Sequence, residues 1–258
     1  MPQPTFALVT GASSGIGECF ARALAARGHN LVLVARSREK LESLARRLRE
    51  ANGIQAEAIG IDLSVPAATA RLVQLLQERE RQVDLLVNNA GFGARREFWK
   101  LPLERQSEMI RLNVMALMEL TYLLLPRMME ARPGAIINVS STAGFQPVPY
   151  TAVYSATKAF VTSFSEALRE ELRPYGITVV TLCPGGTRTN FFEAGQYGMR
   201  RFPGGLQSPE KVVRAALKAL DRGGGLVVPR LLNKLGVVSL RLAPRSLVTK
   251  VAGRIFRL

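Results

Sequence analysis

Cysteine and histidine are scarce in this sequence: its 258 residues include Cys19, Cys183 and a single histidine, His29. Two distant cysteines cannot form a disulfide framework, and with one histidine they cannot complete a structural zinc site. No run approaches the roughly 18 uncharged apolar residues of a membrane span, and the N-terminus lacks the positive and apolar segments of a secretion signal. These absences predict a soluble, cytoplasmic protein without a metal site.

Acidic residues are absent after Asp221, although the whole chain has 20 of them beside 35 lysines and arginines. Eight positive charges follow Asp221, which is more than half of the formal net charge of +15. A basic excess is typical of proteins that bind nucleic acid, an anionic membrane or an acidic ligand. We predict no nucleic acid partner, because the basic tail has few aromatic residues for stacking and the chain has no recognised nucleic-acid-binding motif.

Short apolar runs alternate with longer amphipathic segments along most of the chain. The short runs are rich in Val, Ile and Leu without strict alternation, which is typical of strands covered on both faces of a sheet. Seven strands are predicted, at Thr5–Thr10, Asn30–Ala35, Gln55–Gly60, Val83–Asn88, Gly134–Ser140, Ile177–Leu182 and Leu226–Pro229. This order predicts an α/β domain over residues 1–229, with a doubly wound parallel sheet flanked by helices, and a basic amphipathic extension over residues 230–258.

A glycine-rich turn follows the first predicted strand, with the sequence Thr10-Gly-Ala-Ser-Ser-Gly-Ile-Gly17. Glycines at this place allow a tight turn and a close approach to a pyrophosphate, and the following helix offers free N–H groups to the phosphates. The spacing differs from the common G-x-G-x-x-G, and the alternative is an ordinary strand-to-helix connection. The position after the first strand favours nucleotide binding.

Two arginines follow the second predicted strand, at the place where the choice between NAD and NADP is made. A carboxylate there binds the ribose 2′-hydroxyl of NAD, whereas an arginine suits the 2′-phosphate of NADP. This chain has Arg36 and Arg38 and no acid between them. We therefore predict NADP(H) as the cofactor; the alternative is that both arginines belong to a solvated helix entrance.

A tyrosine and a lysine, Tyr154 and Lys158, stand four residues apart in a predicted helix over Tyr154–Pro174 and therefore share a face. Ser141 comes thirteen residues before Tyr154, at the end of a predicted strand. Carbonyl reduction needs a proton donor, and an ordinary tyrosine, with a pKa of about 10, is a poor match at neutral pH. A neighbouring ammonium, helped by the charge of an oxidised nicotinamide, would lower that pKa.

Together these segments resemble the classical short-chain dehydrogenases/reductases over nearly everything from Thr5 to Pro229. The resemblance rests on motifs in the family's order and approximate spacing: the turn ending at Gly17, Asp62, Asn88-Asn89-Ala90-Gly91, Asn113, Ser141, the Tyr154/Lys158 pair and Pro184-Gly185. It implies a Rossmann-like fold and hydride transfer between NAD(P)(H) and an alcohol or carbonyl compound.

The resemblance also implies roles for single residues. Tyr154 would be the acid/base, Ser141 would orient the substrate oxygen, and Lys158 would hold the nicotinamide ribose and lower the pKa of Tyr154. Asn113 would anchor a water that links Lys158 to solvent. Besides Tyr154, Lys158 and the two arginines, the implied cofactor-binding residues are Gly11, Ser13, Ser14, Gly15, Ile16, Gly17, Asp62, Leu63, Asn89, Ala90, Gly91, Pro184, Gly185, Thr187 and Thr189.

Aromatic residues and arginines follow two strand ends at the sheet edge where ligands bind. The candidate substrate residues are Phe92 and Arg95 after the fourth strand, and Phe191 and Phe192 in the segment Gly186–Gln207. That segment has the length of a lid or binding loop. The combination suits an apolar carbonyl compound with an anionic group; the alternative is that the aromatic rings pack on one another and the arginines are solvated.

Residues 230–258 combine basic and apolar residues at helical spacing. On a helical wheel with Arg230 at zero, the basic residues fall within about 60° and the apolar residues between about 80° and 140°. The first group is Lys234, Arg241 and Arg245, and the second is Leu231, Leu235, Val238 and Leu242. Pro244 interrupts the pattern, and the apolar stripe resumes with Leu247, Val248, Val251, Ala252 and Ile255. This pattern suits a helix on an anionic bilayer. The alternative is that the apolar stripe packs on the protein itself or on a partner subunit.

A predicted helix over Asn113–Ala131 is apolar nearly all round, so it must be buried on more than one side. The family resemblance implies that this helix and Tyr154–Pro174 form the interface of a homodimer or homotetramer. Within Tyr154–Pro174, the residues expected in that interface are Val161, Phe164, Leu168 and Leu172.

The leading hypothesis is an oxidoreductase that transfers a hydride between NADP(H) and an apolar carbonyl or alcohol. The stretch from Tyr154 to Leu172 looks most like the 3-oxoacyl thioester reductases, which implies an acyl thioester substrate. The alternative is a nucleotide-sensing or membrane-associated interaction protein that keeps the fold without turnover.

Overall fold

The computed structural model describes residues 4–131, 133–191, 195, 205–240 and 242–257. These residues form a seven-stranded parallel sheet in the order β3-β2-β1-β4-β5-β6-β7. The strands are β1 Thr5–Thr10, β2 Asn30–Ala35, β3 Ala56–Gly60, β4 Gln82–Asn88, β5 Gly134–Val139, β6 Ile177–Leu182 and β7 Gly225–Val227. The predicted Rossmann-like doubly wound sheet is confirmed, and the strand ends differ from the predicted ones by no more than two residues.

Helices cover both faces of the sheet. They are α1 Gly15–Ala25, α2 Arg38–Asn52, α3 Ala68–Glu78, α4 Leu103–Ile110, α5 Ala116–Ala131, α6 Ala152–Leu172, α7 Pro209–Leu220, α8 Leu231–Leu240 and α9 Arg245–Phe256. The buried residues of α1, α2 and α7 join one core cluster, and those of α3, α5 and α6 join the other. Since both faces are covered by apolar side chains, the strands need no alternation of polar and apolar residues.

The position of the site follows from the order of the strands. β1 pairs with β2 on one side and with β4 on the other, so the chain winds outward in two directions from this centre. In such a sheet the loops that leave the carboxyl ends of the two central strands diverge and open a crevice. The turn after Thr10 and the segment after Asn88 are the walls of that crevice.

One helical stretch, Leu103–Glu130, is long and apolar enough to cross a membrane by length and composition. The sequence did not predict this stretch, because charged residues interrupt its apolar run. Of its most apolar window 39% is buried, and Leu120, Leu124 and Met128 pack in the core beneath the sheet. Because a core helix meets the same criterion, this stretch is weak evidence for a membrane span.

The predicted subunit interface needs one correction. Val161, Leu168 and Leu172 of α6 are buried within the single chain, and the last two pack in the same core cluster as α5. They face the sheet and cannot join a surface between subunits. Phe164 is half-buried and stacks on the exposed ring of Phe160, with 5.6 Å between ring centres.

The C-terminal helices pack on the domain through only part of their apolar surface. Val237 of α8 and Val248 and Ala252 of α9 are buried. The guanidinium of Arg95 donates a hydrogen bond of 3.0 Å to the carbonyl oxygen of Phe256 and a second one to the next carbonyl, and thus attaches the end of α9 to the loop after β4.

The apolar stripe of α8 is exposed. Leu231, Leu235, Val238 and Leu242 all remain open to solvent, so this part of the predicted stripe does not pack on the described part of the chain, whereas Val248 and Ala252 of its continuation in α9 do. Another arc of α8, which contains Val237, provides the contact instead. Arg241 of the predicted basic group lies outside the described residues.

A close backbone contact sets the distance between β5 and α6. The 3-10 turn Thr142–Phe145 follows Ser141 and packs against α6 without an intervening side chain. A Cβ atom at Gly144 would lie 2.6 Å from the carbonyl oxygen of Lys158. This glycine therefore allows Ser141 to sit next to the helix that carries Tyr154.

Replacement of Gly144 by alanine is expected to destabilise the fold, because a methyl group cannot approach a carbonyl oxygen that closely. We expect Gly144→Ala to lower the free energy of unfolding by about 1–3 kcal/mol, measured by denaturant unfolding. The matched control is Gly253→Ala in α9, where a Cβ would meet nothing closer than 3.4 Å and the better helix former should not reduce stability. Equal stability of Gly144→Ala and the native protein would contradict the close contact.

Candidate active site

A large cavity of about 930 Å³ lies at the carboxyl edge of the sheet. The glycine turn and the ends of β2, β3 and β4 form one part of its wall, and Ser141, Tyr154 and Lys158 form another. Residues of α8 and α9 form the remaining part. The cavity thus joins a groove suited to a nucleotide to a space suited to a second compound.

The glycine turn gives one end of the cavity the geometry of a phosphate cradle. Gly11 and Gly15 have positive φ, 65° and 59°, and a Cβ at Gly17 would clash with the carbonyl oxygen of Gly11. The side chain of Ser14 does not cap the N–H groups of α1. Since residues 13–16 line the cavity, the helix N-terminus and its uncapped N–H groups adjoin the space where an anion would bind.

Hydrogen bonds hold the end of β4 against this turn. The Thr10 hydroxyl accepts bonds of 2.9 and 3.0 Å from the main-chain N–H groups of Asn89 and Ala90. The Asn89 side-chain amide donates to the carbonyl oxygens of Thr10 and Gly11. Asn89, Ala90 and Gly91 all line the cavity, so these bonds keep the width of the crevice constant.

Arg36 and Asp62 lie at the ends of β2 and β3, where both line the cavity together with Leu63. The Arg36 side chain is largely exposed, and its guanidinium lies 3.9 Å from the carboxylate of Glu108. Burial acts to raise the pKa of Asp62, but hydrogen bonds from Ser64 and the charge of Arg36 together hold it below the usual range. This end of the cavity therefore presents one cation and one anion side by side.

Ser141 and Tyr154 reach the cavity from different elements. Ser141 follows β5, and its hydroxyl accepts a hydrogen bond of 3.1 Å from the N–H of Ala143. Tyr154 lies in the first turn of α6, and its ring centre is 5.5 Å from that of Phe191. Burial raises the pKa of Tyr154 to about 12, a rise that hydrogen bonding to Ser141 opposes. The phenol therefore holds its proton at neutral pH.

Lys158 lies one helical turn after Tyr154 and is 5% exposed. Its Nζ donates a hydrogen bond of 2.8 Å to the carbonyl oxygen of Val139 and lies 5.9 Å from the centre of the Tyr154 ring. Burial lowers the pKa of Lys158 to about 8. In the protein without cofactor, burial of the phenol is therefore the main influence on the pKa of Tyr154, and the expected lowering of that pKa by Lys158 together with a bound nicotinamide stays a prediction.

Asn113 lies in a π-helical turn, Arg111–Met115, between α4 and α5. Its side-chain oxygen accepts a bond from the N–H of Phe92, and its amide donates to the carbonyl of Phe92 and to the hydroxyl of Thr157. Asn113 therefore fixes the segment after β4 against α6. Such turns are frequent at functional sites, and no sequence signal announced this one.

The segment after β6 closes the cavity near the glycine turn. Pro184, Gly185, Thr187 and Thr189 all line the cavity. The Thr189 methyl group would lie 3.0 Å from a Cβ at Gly15, and the Thr187 hydroxyl donates 2.9 Å to the carbonyl of Gly185. Of the two threonines predicted at the nicotinamide end, Thr189 therefore lies beside the start of α1, and Thr187 lines the cavity in the segment after β6.

Some predicted site residues are not part of the cavity lining among the described residues. Arg38 donates a 2.7 Å hydrogen bond to Glu42, one turn along α2, and Gly17 and Asn113 lie behind the lining. Arg95 is bonded to the end of α9, as described above. Of the candidate substrate residues, Phe92 and Phe191 line the cavity, whereas Phe192 lies outside the described residues.

The largest part of the site that sequence reasoning missed is the wall formed by α8 and α9. Apolar residues of both helices line the cavity: Leu232, Val237, Leu240, Leu247, Val248, Val251, Ala252, Ile255 and Phe256. The apolar spacing of α9 was visible in the sequence, but no pattern indicated that it faces the site. Asn233 of α8 also lines the cavity. Its Nδ2 atom would lie 2.5 Å from a Cβ at Gly185, so α8 closely approaches the segment after β6 at this point.

The residues present fit a dinucleotide with a nicotinamide end. The tight cradle can form only because Gly11, Gly15 and Gly17 lack side chains, which would clash with Asn89, Thr189 and the carbonyl oxygen of Gly11. The cation of Arg36 lies at the place of the adenosine ribose in this fold. At the other end of the cavity, two hydroxyls and a buried ammonium stand together. This arrangement can hold a carbonyl oxygen and give it a proton.

The comparisons with known proteins agree with this geometry. The family model of the short chain dehydrogenases matches residues 5–197. A very-long-chain 3-oxoacyl-CoA reductase of Phaeosphaeria nodorum is 34% identical over 230 residues, which is 87% of this chain and 65% of that protein. The chain thus spans slightly less than two thirds of the length of this relative.

Two solved structures are similar over almost their whole length. A short-chain dehydrogenase from Sphingobium yanoikuyae in complex with NADPH has a TM-score of 0.83 and 37% identity, with 95% of both chains covered. The bulky-bulky ketone specific alcohol dehydrogenase from Comamonas testosteroni has a TM-score of 0.78 and 34% identity, with 94% of both chains covered. Since the family model alone covers well over half of the sequence, this chain belongs to the short chain dehydrogenase family.

Proposed function

We propose that this protein is an NADPH-dependent reductase of a large apolar carbonyl compound, with a 3-oxoacyl thioester as the leading candidate. The observation that carries the proposal is the continuity of one cavity, which joins the phosphate cradle to Ser141, Tyr154 and Lys158 and continues along the apolar wall of α8 and α9. Hydride transfer requires cofactor and substrate to meet in one space, and this cavity provides it.

The reaction assigns a separate task to each polar residue. A bound nicotinamide cofactor would supply the hydride to the carbonyl carbon. The Tyr154 hydroxyl gives its proton to the carbonyl oxygen, and the Ser141 hydroxyl donates a hydrogen bond that holds this oxygen in place. The Lys158 ammonium, close behind Tyr154, stabilises the phenolate that remains.

Cofactor choice follows from the charge at the end of β2. The exposed guanidinium of Arg36 at the cavity edge suits the 2′-phosphate of NADP(H) through bidentate hydrogen bonds. NADPH is also the ligand of the Sphingobium yanoikuyae structure. Glu108 lies 3.9 Å from the Arg36 guanidinium, which is not a close ion pair, so the cation remains available to a phosphate.

The substrate class follows from the wall of α8 and α9. A stretch of apolar side chains of this size suits an acyl chain or another bulky apolar group, since burial of apolar surface is the main source of affinity in such pockets. The names of two relatives describe large substrates, a very-long-chain 3-oxoacyl-CoA and bulky-bulky ketones. The alternative of a binding protein without turnover has no support, because the proton-donating groups line the same cavity as the cradle.

Replacement of Tyr154 by phenylalanine tests the function. We expect Tyr154→Phe to reduce kcat for 3-oxoacyl thioester reduction by at least about 100-fold, because the proton donor is lost, while NADPH affinity changes little. NADPH absorbance measures turnover over a series of acyl chain lengths, and cofactor fluorescence measures binding. Tyr122→Phe, at a position 77% exposed on α5, is the matched control. Native turnover in the Tyr154 variant would refute the mechanism.

Replacement of Arg36 by alanine tests the choice of cofactor. Loss of a charge-assisted contact with a phosphate is expected to weaken NADPH binding by about 10–100-fold and to leave NADH binding nearly unchanged. Arg46→Ala removes the same charge from the exposed surface of α2 outside the cavity and should affect neither cofactor. Equal losses for NADPH and NADH, or a native preference for NADH, would contradict the assignment.

The buried lysine predicts a pH-dependent stability. The pKa of Lys158 is about 8 in the folded protein and 10.5 ordinarily, so between these values the unfolded chain binds a proton that the folded chain does not. The free energy of unfolding therefore rises with pH in this window. Between pH 7 and pH 9.5 the free energy of unfolding of the native protein is expected to rise by about 2 kcal/mol more than that of Lys158→Met, which lacks the ammonium.

Denaturant unfolding of both proteins at the two pH values measures this gain. Lys218→Met, at an exposed position of α7, is the control and should show the same pH dependence as the native protein. A constant stability difference between Lys158→Met and the native protein across this range would show that the ammonium is not buried.

A further inference from the structure

The outer surface of α8 carries apolar residues that the protein itself does not cover. Leu231 is 71% exposed, Leu235 57% and Val238 51%, and Leu242 just beyond the helix is 85% exposed. Single exposed leucines are ordinary on protein surfaces, but a continuous group of this size marks an interaction surface. We call these four residues the outer leucine face.

The outer leucine face is distinct from the face of α8 that serves the cavity. Asn233, Gly236, Val237 and Leu240 line the cavity, whereas no member of the outer leucine face does. With Arg230 at zero, these four residues lie between about 240° and 340° on the helical wheel, whereas Leu231, Leu235 and Val238 of the outer leucine face lie between about 80° and 140°. The helix is thus apolar on two opposite sides, so packing on the substrate site does not account for the outer leucines.

Cations of α8 and α9 have no acidic partners among the described residues, and one of them, Lys234, lies at about 40° on the helical wheel beside the outer leucine face. Lys234, Arg245, Lys250, Arg254 and Arg257 are exposed, and none of them forms an ion pair with another described residue, whereas acidic partners neutralise many cations elsewhere on the chain. No acidic residue follows Asp221 in the sequence. The surface that covers the outer leucine face must therefore tolerate, or attract, a dense positive charge.

A second copy of this chain is a poor occupant for that reason. In a symmetric contact through the outer leucine face, the same basic segments would face each other, and like charges across an interface oppose association. An anionic lipid bilayer meets both requirements, because its acyl region takes up leucine side chains and its headgroups pair with lysine and arginine.

The cavity also opens beside this surface. Leu232 and Leu247 line the cavity and are each 54% exposed, and Val251 and Ile255 combine the same two properties. Residues that both line the cavity and meet solvent form its rim. The apolar rim is built by the same two helices that carry the outer leucine face and the unpaired cations.

We infer that the outer leucine face of α8 docks on an anionic lipid bilayer, with the cations of α8 and α9 at the headgroups and the rim of the cavity next to the membrane surface. Docking holds the protein at the interface and does not require a membrane-spanning segment. It goes beyond the proposed reductase function, and its test uses vesicle binding alone, so failure of either proposal leaves the other standing.

Sedimentation of the full chain with lipid vesicles tests this inference. We expect binding to phosphatidylcholine vesicles that contain phosphatidylglycerol, little binding to phosphatidylcholine alone, and weaker binding at high salt. The double variant Leu235→Glu/Leu242→Glu is expected to lower the partition coefficient at least about tenfold, because it places two carboxylates where apolar side chains enter the acyl region. Both positions are exposed and outside the cavity lining, so the variant should keep the native denaturant unfolding transition, which reports a folded protein.

The matched control is Leu103→Glu, which changes a leucine 70% exposed at the start of α4 and should bind vesicles as the native protein does. Absence of native binding to the anionic vesicles, or equal binding of the double variant, overturns the inference. If the double variant instead changes the sedimentation coefficient of the protein without lipid, the face joins two copies of the chain and the bilayer assignment is wrong.

Fluorescence provides a second test that does not depend on loss of binding. Trp99 is the only tryptophan of the chain, so a Trp99→Phe/Leu235→Trp variant reports on the outer leucine face alone. A blue shift of its emission on addition of anionic vesicles is expected, since the indole leaves water for the acyl boundary. An unchanged emission spectrum in the presence of bound vesicles would show that this face stays in water.

Discussion

The Lys158 ammonium is buried at the carboxyl edge of the sheet, and the candidate site depends on keeping it there. Burial of a charge is unfavourable unless hydrogen bonds compensate, and here Nζ donates to the carbonyl of Val139 while the Ser140 hydroxyl donates to the carbonyl of Lys158 itself. These two bonds join the end of β5 to α6. Ser141 and Tyr154 lie on either side of this junction, so one structural contact sets the geometry of the reacting groups.

Burial raises the pKa of Tyr154 and lowers the pKa of Lys158, and both shifts are compatible with carbonyl reduction. With a pKa of about 12, Tyr154 holds its proton until a strong base forms beside it. An alkoxide produced by hydride addition is a stronger base than a phenolate, so proton transfer from Tyr154 is downhill despite the raised pKa. Lys158, with a pKa of about 8, is still mostly an ammonium at neutral pH, and in the proposed reaction it would stabilise the phenolate as it forms. The reverse reaction needs the phenolate first, and therefore needs additional positive charge in the cavity.

The sequence was sufficient for the sheet and for the residues at its carboxyl edge, because both depend on local patterns. Buried parallel strands show as short apolar runs, and the glycine turn shows as glycines that must lack a Cβ, as the contact between Gly17 and Gly11 illustrates. The environment of α6 was not predictable, since helical spacing alone does not tell whether Leu168 faces a sheet or a partner subunit. The contact of Arg95 was not predictable for a related reason: its partner, Phe256, is 161 residues away, and no local pattern records such a contact.

Helix α8 shows that the interpretation of an amphipathic sequence pattern can be incomplete even when two alternatives are considered. The sequence indicated one apolar arc, that of Leu231 and Leu235, and posed a choice between membrane and protein. The structure contains a second arc, in which Val237 and Leu240 line the cavity together with the small or polar residues Asn233, Gly236 and Ser239. A helix with two apolar sides can contact the substrate space and a lipid surface at once. An apolar substrate that resides in a bilayer would then pass from membrane to active site along a single helix, without crossing water, where its transfer costs most free energy.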